Sequence, residues 1–396
     1  SMSYETIKID DICIKVTSGG TPKTTNEAFY NPKEVPWLKT AEVNYCRIYE
    51  TETYISKEGV ACSSAKLIPE NSVIIAMYGQ GDTAGRVAIN KIPLCTNQAC
   101  CNLIINHEIT DYKYVYYALS TLYDKLVSLK NGGAQPNLNV GIIKEVEIPF
   151  PDLKTQHKIA QILSEYDDLI ENNQKQIKLL EEASQRLYKK WFVDLRFPGY
   201  ENTKIVNSVP EGWTKPSMND IANYLNGYAF KPGDWSEKGK PIIKIKEMNE
   251  GITTATPRNE GSTIPEKYNI TAGDILFSWS ATLTAMIWAS EDGLLNQHLF
   301  KVTPNNGVGR EYVLQSILKT LDEFKNLTNG STMKHIQRGK LKEVFVNLPP
   351  QEVMEKYSSI AEMYREKSLS LQKQNILLQE ARNRLLPKLM SGELEV

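Results

Sequence analysis

The sequence is poor in cysteine and histidine, and neither residue type shows the spacing of a metal site. No two of the six cysteines form a C-x-x-C pair, and the four histidines are scattered along the chain. This pattern argues against a zinc site and fits the reduced thiols of a cytosolic protein. The cysteines all lie in the first half of the chain: Cys13, Cys46, Cys62, Cys95, Cys100 and Cys101.

Long apolar runs and an excess of positive charge are also missing. No run approaches the length of a membrane span, and the first residues have no signal-peptide pattern. With 41% hydrophobic and 23% charged residues, the composition is that of an ordinary globular protein. The net charge of −1 excludes a polycation, so nucleic-acid binding would need local basic patches or the help of a partner.

Signatures of catalysis are absent as well. The sequence contains no G-x-S-x-G, no P-loop, no H-E-x-x-H, no G-x-G-x-x-G after a strand and no Asp/Asn-Pro-Pro-aromatic motif. Glu323-Phe324-Lys325 imitates the E-x-K of a nuclease, but it falls on a predicted helix without an acidic partner on a strand, so we interpret it as surface. His298 and His335 fall in polar loops, where a solvated histidine is the simplest interpretation.

A long amphipathic helix is the first strong positive signal. Between Gln156 and Phe192 apolar residues recur in a four-three rhythm without proline or glycine. This predicts one continuous helix, about 50 Å long, that packs along a partner helix. Asn173 lies on the seam, where a polar side chain costs stability and fixes the register. The other predicted seam members are Ile159, Leu163, Tyr166, Ile170, Ile177, Leu180, Ser184, Leu187 and Trp191.

A second segment with the same rhythm, Gln351 to Leu386, can supply the partner. Pro387 is predicted to end this helix, and Lys367 and Gln374 are its predicted polar seam members. Because residues 179–187 and 377–385 also resemble each other in sequence, we favour two copies of one helix over two unrelated amphipathic helices. The apolar members of the second seam are Val353, Tyr357, Ile360, Tyr364, Leu371, Leu378, Ala381 and Leu385.

The repeat continues through the segments that precede these helices. Residues 36–44 match residues 241–249, and a predicted buried strand in residues 68–76 matches one in residues 270–278. Matched positions in the two copies differ in residue number by about 200, as expected for two diverged copies. Each copy then continues with a predicted helix, residues 112–130 or 310–326, followed by a glycine loop, a closing strand and a proline.

The predicted fold class is α+β. Two α/β domains lie in tandem, separated by two long helices that form an antiparallel coiled coil with pseudo-two-fold symmetry. The predicted boundaries are 1–155 for the first domain, 156–198 for the first helix, 199–350 for the second domain, and 351–396 for the second helix and tail. The predicted loops are rich in amide, hydroxyl, lysine and aromatic side chains, which suit hydrogen bonds to base edges and phosphates.

Several short motifs occur in a characteristic order: Gly19 to Pro22, Pro36-Trp37, Asn97-Gln98 and Asn296-Gln297, Val209 to Trp213, Leu348 to Gln351, and Leu385 to Gly392. Together they resemble the DNA-specificity subunits of type I restriction-modification systems over nearly the whole chain. Each motif alone is weak, and their order and duplication make the resemblance specific. The second copy departs from it, since Asn226-Gly227-Tyr228 replaces the Gly-Gly-Thr-Pro loop, so its DNA loop is not located by motif.

The resemblance implies that each domain is a target recognition domain that reads one half of a bipartite, asymmetric DNA site. It implies that the helices set the unread spacer, since a rod of about 50 Å spans about fifteen base pairs, and that they dock methyltransferase subunits. The implied partners are double-stranded DNA, two methyltransferase subunits and restriction or motor subunits. S-adenosylmethionine, ATP and Mg²⁺ are expected on those partners, with no cofactor, no catalysis and no membrane contact for this chain, in the cytoplasm of a prokaryote.

Candidate DNA-binding residues follow from their loop positions in the predicted domains. Arg86 is the sharpest candidate, because arginine bidentate to guanine is the commonest specific contact. The Asn-Gln pairs are expected to be structural, since they are the same in both copies whereas base-reading residues should differ. The candidates are Ser18, Thr21, Lys23, Lys39, Asn44, Tyr78, Gln80, Thr83, Arg86, Gln135 and Asn137 in the first domain, and Tyr228, Lys231, Lys246, Asn249, Trp279, Ser280, Thr282, Thr332, Lys334 and His335 in the second.

Three alternatives remain open from the sequence. The same scaffold can serve a methyltransferase that has no nuclease partner, and only the neighbouring genes separate this from a full restriction system. A self-contained DNA-cleaving enzyme with a recognition repeat would need the catalytic motifs that are missing. An adaptor with two protein-binding domains is the remaining alternative.

Overall fold

A computed structural model describes residues 3–327 and 338–396 of the chain. These residues divide into two compact units, and each unit contains one globular domain with parts of both long helices. The first unit comprises residues 1–169 and 378–396, and the second comprises residues 170–377.

The first unit is built from short strands and helices. Its strands are β1 (Thr6–Lys8), β2 (Cys13–Ser18), β3 (Val35–Leu38), β4 (Arg47–Ile48), β5 (Thr53–Ile55), β6 (Val73–Ala76), β7 (Val87–Asn90), β8 (Cys95–Thr96), β9 (Cys100–Ile105) and β10 (Glu147–Pro149). Its helices are α1 (Lys57–Ala61), α2 (Tyr112–Ser120), α3 (Tyr123–Ser128), α4 (Val140–Lys144) and the start of α5 (Leu153–Tyr188).

Two sheets carry the core of the first unit. The larger sheet has the strand order β2-β9-β6-β7-β4, the smaller has the order β5-β3-β8, and β1 pairs with β10. All four residues of β6 are buried, as expected for an apolar run of β-branched residues with both faces covered. One face of the larger sheet packs against α2 and against Ile159 and Leu163 of α5.

The second unit has a similar set of elements. Its strands are β11 (Ile205–Val206), β12 (Val209–Pro210), β13 (Ala222–Asn226), β14 (Lys240–Ile243), β15 (Arg258–Asn259), β16 (Asn269–Ile270), β17 (Ile275–Ser278), β18 (Thr284–Ile287), β19 (Gly293–Leu295) and β20 (Leu299–Pro304). Its helices are α6 (Met218–Ile221), α7 (Ile245–Glu250), α8 (Arg310–Leu327) and most of α9 (Gln351–Ser391).

The sheets of the two units share one topology. The order β13-β20-β17-β18 in the second unit repeats β2-β9-β6-β7 of the first, and every neighbouring pair is antiparallel in both. The smaller sheets repeat as well, because β14 lies antiparallel to β15 and parallel to β19, as β3 does to β5 and β8. This agreement confirms the duplicated α+β domain predicted from the sequence.

One tyrosine in each copy connects a helix of the domain, α2 or α8, to the segment that leads into the next long helix. In the first unit the Asp111 side chain caps α2 by accepting the backbone N–H of Lys113 at 2.8 Å. The Tyr114 hydroxyl then donates to the Pro149 carbonyl at 2.8 Å, and the Tyr312 hydroxyl donates to the Asn347 carbonyl at 2.7 Å in the second unit. The predicted helix 112–130 is interrupted between α2 and α3, whereas α8 is continuous.

The first long helix agrees with its prediction. Helix α5 covers Leu153–Tyr188 and continues as one π-helical turn over Lys189–Val193. This turn buries both Trp191 and Phe192. Phe192 packs edge-to-face on Tyr312 and Tyr357, with ring centroids 4.9 and 4.7 Å apart, so the end of α5 is embedded in the aromatic core of the second unit.

Helices α5 and α9 run antiparallel within each unit. In the first unit Ile159 and Leu163 share a core with Leu389 and Met390. In the second unit the Asn173 amide donates to the Asn375 side chain at 2.9 Å, and Arg365 donates to Glu181 at 2.7 Å. Partners on α9 therefore move toward its N-terminus as residues on α5 advance, which is the predicted antiparallel pairing.

The predicted seam is only partly reproduced by burial. Helix α9 continues through Pro387 to Ser391, so the prediction that Pro387 ends it is wrong. Lys367 is exposed, which corrects its assignment as a polar seam member. Gln374 is also exposed, but its side chain accepts a hydrogen bond from the Asn173 amide across the helix pair at 3.3 Å. The predicted seam residues that are fully buried are Ile159, Leu163, Ile170, Asn173, Ser184, Trp191, Tyr357 and Leu371, and those that are partly buried are Tyr166, Ile177, Leu180, Leu187, Val353, Ile360, Tyr364, Leu378, Ala381 and Leu385.

The difference on α9 is one of phase. The buried residues Ala361, Ser368 and Asn375 recur every seven residues, and each directly follows a predicted seam residue, Ile360, Lys367 or Gln374. On α9 the stripe passes through the polar residues Arg365, Ser368 and Asn375, all of which are buried. Because Ser368 and Asn375 are polar, apolar periodicity gave no signal for the correct phase.

Candidate nucleic-acid interface

A glycine in each unit sets the loop that follows the first strand of the large sheet. A Cβ atom on Gly19 would overlap the Thr96 and Asn97 carbonyls, and one on Gly227 would overlap the Asn296 carbonyl. The Gly19 N–H donates to the Cys100 carbonyl at 3.2 Å, and the Gly227 N–H donates to Leu299 at 3.0 Å. Gly227 is thus the counterpart of Gly19, and the loop that sequence motifs did not locate in the second copy begins there.

The Asn-Gln pairs lie beneath these loops. The Asn97 N–H donates to the Leu38 carbonyl at 2.9 Å, and the Asn296 N–H donates to Ile243 at 3.2 Å. The Gln98 side chain accepts a hydrogen bond from the Thr21 hydroxyl. These bonds connect the pair to the end of β3 or β14, which gives it a place in the frame of the domain.

In the first unit, three predicted residues share the glycine loop. Ser18 is the last residue of β2, Thr21 is partly buried, and Lys23 is exposed. The loop is held from below by Trp37, whose indole N–H donates to the Gly20 carbonyl at 3.1 Å. Two motifs that are distant in sequence, the glycine loop and the Pro36-Trp37 strand, therefore form one structure.

The connection between β6 and β7 brings a second group of predicted residues together. The Leu138 N–H donates to the Met77 carbonyl at 3.0 Å, which places the 131–137 loop beside Tyr78. That loop is closed by mutual backbone bonds between Asn131 and Asn137 of 2.8 and 2.9 Å. Gln135 and Asn137 are exposed and Tyr78 is partly buried, so polar and aromatic side chains come from two loops whose backbones are bonded next to them.

Arg86 belongs to the interior of the same connection. Its guanidinium donates to the Asp82 carboxylate at 2.7 Å, and its side chain is only 16% exposed. The Tyr123 hydroxyl donates to the Asp82 carbonyl at 2.7 Å. Thr83 is buried and bonds to the Gln80 carbonyl at 2.6 Å, which leaves Gln80 as the exposed predicted residue of this loop.

Tyr45 lies in the same electrostatic environment as Arg86. Burial, followed by the nearby Tyr123 hydroxyl, raises the pKa of Tyr45 to about 12. The phenol is protonated at physiological pH, as an ordinary tyrosine is, and can donate a hydrogen bond. Its backbone has a positive φ of 51°, and its N–H donates to the Val87 carbonyl at 2.8 Å.

In the second unit, the predicted residues fall on two loops and one helix. Tyr228 packs on Phe230 and Tyr268 with ring centroids 4.8 and 5.5 Å apart. Lys231 is exposed in the following loop, and Lys246 and Asn249 are exposed on α7. Thr332, Lys334 and His335 lie outside the described residues.

The turn between β17 and β18 holds the remaining predicted residues of the second unit. The Ser278 hydroxyl donates to the Thr282 carbonyl at 2.6 Å, and Ala281 has a φ of 59°, so this connection is a tight turn. Ser280 is partly buried and Thr282 is exposed. The Trp279 ring lies against Phe300 at 5.5 Å and His298 at 5.6 Å. The corresponding connection of the first unit, residues 77–86, is longer, so the two copies present different surfaces at equivalent places.

Sequence reasoning missed Lys244 as a candidate. It occupies the position of Lys39, because Leu38 and Ile243 pair with the equivalent strands β8 and β19. The Lys39 ammonium lies 5.5 Å from the Trp37 ring, and that of Lys244 lies 5.8 Å from the Trp235 ring. The aligned Pro36-to-Asn44 and Pro241-to-Asn249 segments contained the signal, since lysine is the fourth residue of both.

Within residues 3–327 and 338–396 there is no cluster of three or more His, Cys, Asp or Glu residues suited to a metal ion. Burial raises the pKa of Cys13 to about 12 and that of Cys95 to about 11, so these thiols are protonated near neutral pH. Among the same residues, no helix is both long enough and apolar enough to cross a membrane.

The fold and the loops define a recognition protein made of two copies of one α+β domain, each with its own exposed polar surface. The family model of the type I restriction modification DNA specificity domain matches the chain twice, over residues 2–182 and 210–378. The chain belongs to this family.

Individual relatives agree with this assignment. The chain is 28% identical to the type I restriction enzyme MjaIX specificity subunit of Methanocaldococcus jannaschii, over 99% of this chain and 94% of that protein. It is also 28% identical to the EcoR124I/EcoR124II specificity subunit of Escherichia coli, over 45% of each chain. The crystal structure of a type I restriction-modification S subunit from M. genitalium superimposes with a TM-score of 0.56 at 18% identity and covers 98% of this chain and 96% of that one, which supports the fold.

Proposed function

We propose that this chain is the DNA sequence-specificity subunit of a type I restriction-modification complex, and that each domain reads one half of a bipartite, asymmetric site. The observation that carries the proposal is the pairing of one repeated frame with two different loop surfaces. The bonded glycine after the first strand, the Asn-Gln pair and the order of four strands in the large sheet are the same in both units, whereas the β6–β7 and β17–β18 connections differ. A shared frame with different loops suits two domains that approach DNA in the same way and read different bases.

The long helices are proposed to set the unread spacer and to dock two methyltransferase subunits. At about 1.5 Å per residue the 36 residues of α5 extend over about 54 Å, which corresponds to more than one turn of B-DNA. Restriction or motor subunits would join through the same complex. The complex is expected in the cytoplasm of a prokaryotic cell.

The chain is proposed to be non-catalytic, with S-adenosylmethionine, ATP and Mg²⁺ bound by the partners. The support is the lack of catalytic motifs in the sequence together with the class of its relatives. Near-neutral net charge fits this division of labour, because a partner can supply much of the contact to the phosphates.

The test is reconstitution. The full chain is purified alone and together with methyltransferase subunits of its host, and each preparation is incubated with DNA and S-adenosylmethionine. Methyl transfer that requires both components, with no cleavage by the chain alone in Mg²⁺, supports the proposal. Cleavage of DNA by the purified chain would contradict it.

A further inference from the structure

A short segment after the first strand of the smaller sheet is repeated in both units more faithfully than its surroundings. Strand β3 is followed by Lys39, Glu42 and Asn44, and strand β14 is followed by Lys244, Glu247 and Asn249. In each unit the segment turns through a short helix, a 3-10 turn over Thr40–Glu42 or helix α7. The lysine and the glutamate thus occupy equivalent structural positions in both units, and the asparagine follows the glutamate by two residues in each, just after the 3-10 turn at Asn44 and on helix α7 at Asn249.

The glutamate of this segment has a structural role. The Glu42 carboxylate accepts the backbone N–H of Lys39 at 3.0 Å and that of Glu52 at 2.9 Å. The Glu247 carboxylate accepts the Lys244 N–H, also at 3.0 Å, and the Thr256 hydroxyl at 3.3 Å. Both glutamates cap the turn, and this explains their repetition.

The lysine and asparagine have no such explanation within the domain. Lys39, Asn44 and Asn249 are exposed and Lys244 is partly buried. Among the described residues, neither lysine forms a salt bridge and neither asparagine side chain forms a hydrogen bond. Each ammonium rests beside a tryptophan ring, supplied by Trp37 in one unit and by Trp235, from a different place in the sequence, in the other. The ring favours a defined position for the cation without neutralising it.

We propose that Lys39 with Asn44, and Lys244 with Asn249, are two copies of one backbone-contact site, which binds phosphates of double-stranded DNA at both half-sites without reading sequence. The proposal rests on the proposed function and adds a division of labour within each domain. The repeated lysine and asparagine position the domain, and the loops that differ between the copies read the bases.

Repetition favours phosphates over base edges as the ligand. The two domains are expected to read different bases, so a base-reading side chain should differ between the copies, whereas the sugar-phosphate backbone is the same at both half-sites. An ammonium and a neutral amide donor are both suited to phosphate oxygens. Arg86 provides a contrast, because Thr284 occupies its position in the second copy.

The location also favours DNA. The residue before each lysine, Leu38 or Ile243, binds the Asn-Gln pair beneath the glycine loop. In the first unit the residue after Asn44 is bound to Val87, beside Arg86 in the β6–β7 connection. The segment therefore joins the loops that carry the predicted base-reading residues and can contact the backbone beside them.

The experiment measures DNA affinity of the complete chain with its co-expressed methyltransferase subunits as a function of salt. The probes are a duplex that carries the methylated motif of the host genome and the same duplex with both half-sites scrambled. Lys39→Ala and Lys244→Ala are each expected to reduce the slope of log affinity against log salt by about 1, and the double variant by about 2. The loss should be equal on both duplexes, and the methylated motif should not change.

The matched controls are Lys33→Ala and Lys238→Ala. These exposed lysines precede the same strands, β3 and β14, and so lie at the opposite end from Lys39 and Lys244. They are expected to leave the salt slope unchanged. Asn44→Asp and Asn249→Asp should weaken binding more than the corresponding alanine variants, because a carboxylate repels phosphate.

Several outcomes would overturn the inference. One is a wild-type salt slope in the double lysine variant, and another is a motif that changes at one base position. Loss of methyltransferase assembly with an unchanged slope would show that the repeated segment binds protein instead. Failure of the proposed function is distinguishable, since the wild-type complex itself would then show no preference between the two duplexes.

Discussion

The Arg86 guanidinium can reach a base only if its 2.7 Å ion pair with Asp82 opens. The exposed partner of the pair is Asp82, which is 62% exposed, and the arginine side chain is largely covered. Because the Asp82 carboxylate is the solvent-facing member, DNA could replace it with a guanine edge. Arginine to guanine is then a charge-assisted, bidentate contact.

Two substitutions distinguish base recognition by Arg86 from a purely structural role of its ion pair in the loop. If Arg86 reads a guanine, Arg86→Ala relaxes the methylated motif at one base position of one half-site. Asp82→Ala then leaves the motif intact, because the arginine that reads the guanine is still present. Sequencing of methylated genomic DNA from cells with each variant measures both effects. An unchanged motif in the Arg86 variant would contradict the assignment of Arg86 as a guanine contact. Equal effects of the two variants would mean that the ion pair only stabilises the loop.

Arg365 is the most consequential buried charge of the second unit. It is 3% exposed and donates to Glu311 at 2.9 and 3.0 Å and to Glu181 at 2.7 and 3.1 Å, while Glu311 is 1% exposed. Removal of one member leaves the other charge buried without its partner. Arg365→Met is therefore expected to lower the free energy of unfolding by about 3–5 kcal/mol.

The matched variant is the double substitution Arg365→Met with Glu311→Gln, which removes both charges of the buried pair. The double variant should lose clearly less free energy of unfolding than Arg365→Met alone. Urea denaturation of the full chain measures both losses. A single variant as stable as wild type would show that the network contributes nothing in solution.

Among the elements, the paired helices were predicted well in extent and poorly in register. Their length, continuity and antiparallel direction follow from long apolar periodicity, which is a strong signal. The buried polar residues Arg365, Ser368 and Asn375 carried no such signal, because each is stabilised by a partner that the sequence does not place. The same limit applies to Arg86, whose ion pair with Asp82 depends on how the β6–β7 connection folds.

The buried amides of the helix pair give a prediction at the scale of the element. Asn173 is 6% exposed and donates to Asn375, which in turn donates to the Ile170 carbonyl at 3.5 Å. Asn173→Leu leaves the Asn375 oxygen without its donor, so we expect a loss of about 1–3 kcal/mol. With Asn375→Leu added, an apolar pair should recover that loss or exceed it.

Thermal unfolding of the two single variants and the double variant forms a cycle that measures this coupling. Strictly additive effects would contradict the assigned contact. The double variant also tests register, because a seam that has lost its polar pair is expected to self-associate more readily, and this is visible by light scattering.

For the molecule as a whole, duplication is what the sequence predicted best. The matching segments Pro36 to Asn44 and Pro241 to Asn249 begin on the equivalent strands β3 and β14. Both strands make the same backbone bonds to their neighbours. The candidate interface was less predictable. The loop sequences differ between the two copies, so the residues next to Gly227 do not identify it as the counterpart of Gly19. Its backbone contacts in the structure do.

The central claim is that two copies of one domain read two halves of a split DNA site. Single-molecule sequencing of methylated DNA, with and without this gene in its host, tests it most directly. The account predicts that N6-methyladenine disappears from one bipartite motif with a fixed unread gap when the gene is deleted. An unchanged methylation pattern in a host whose methyltransferase subunits are expressed, or loss from a single uninterrupted motif, would contradict it.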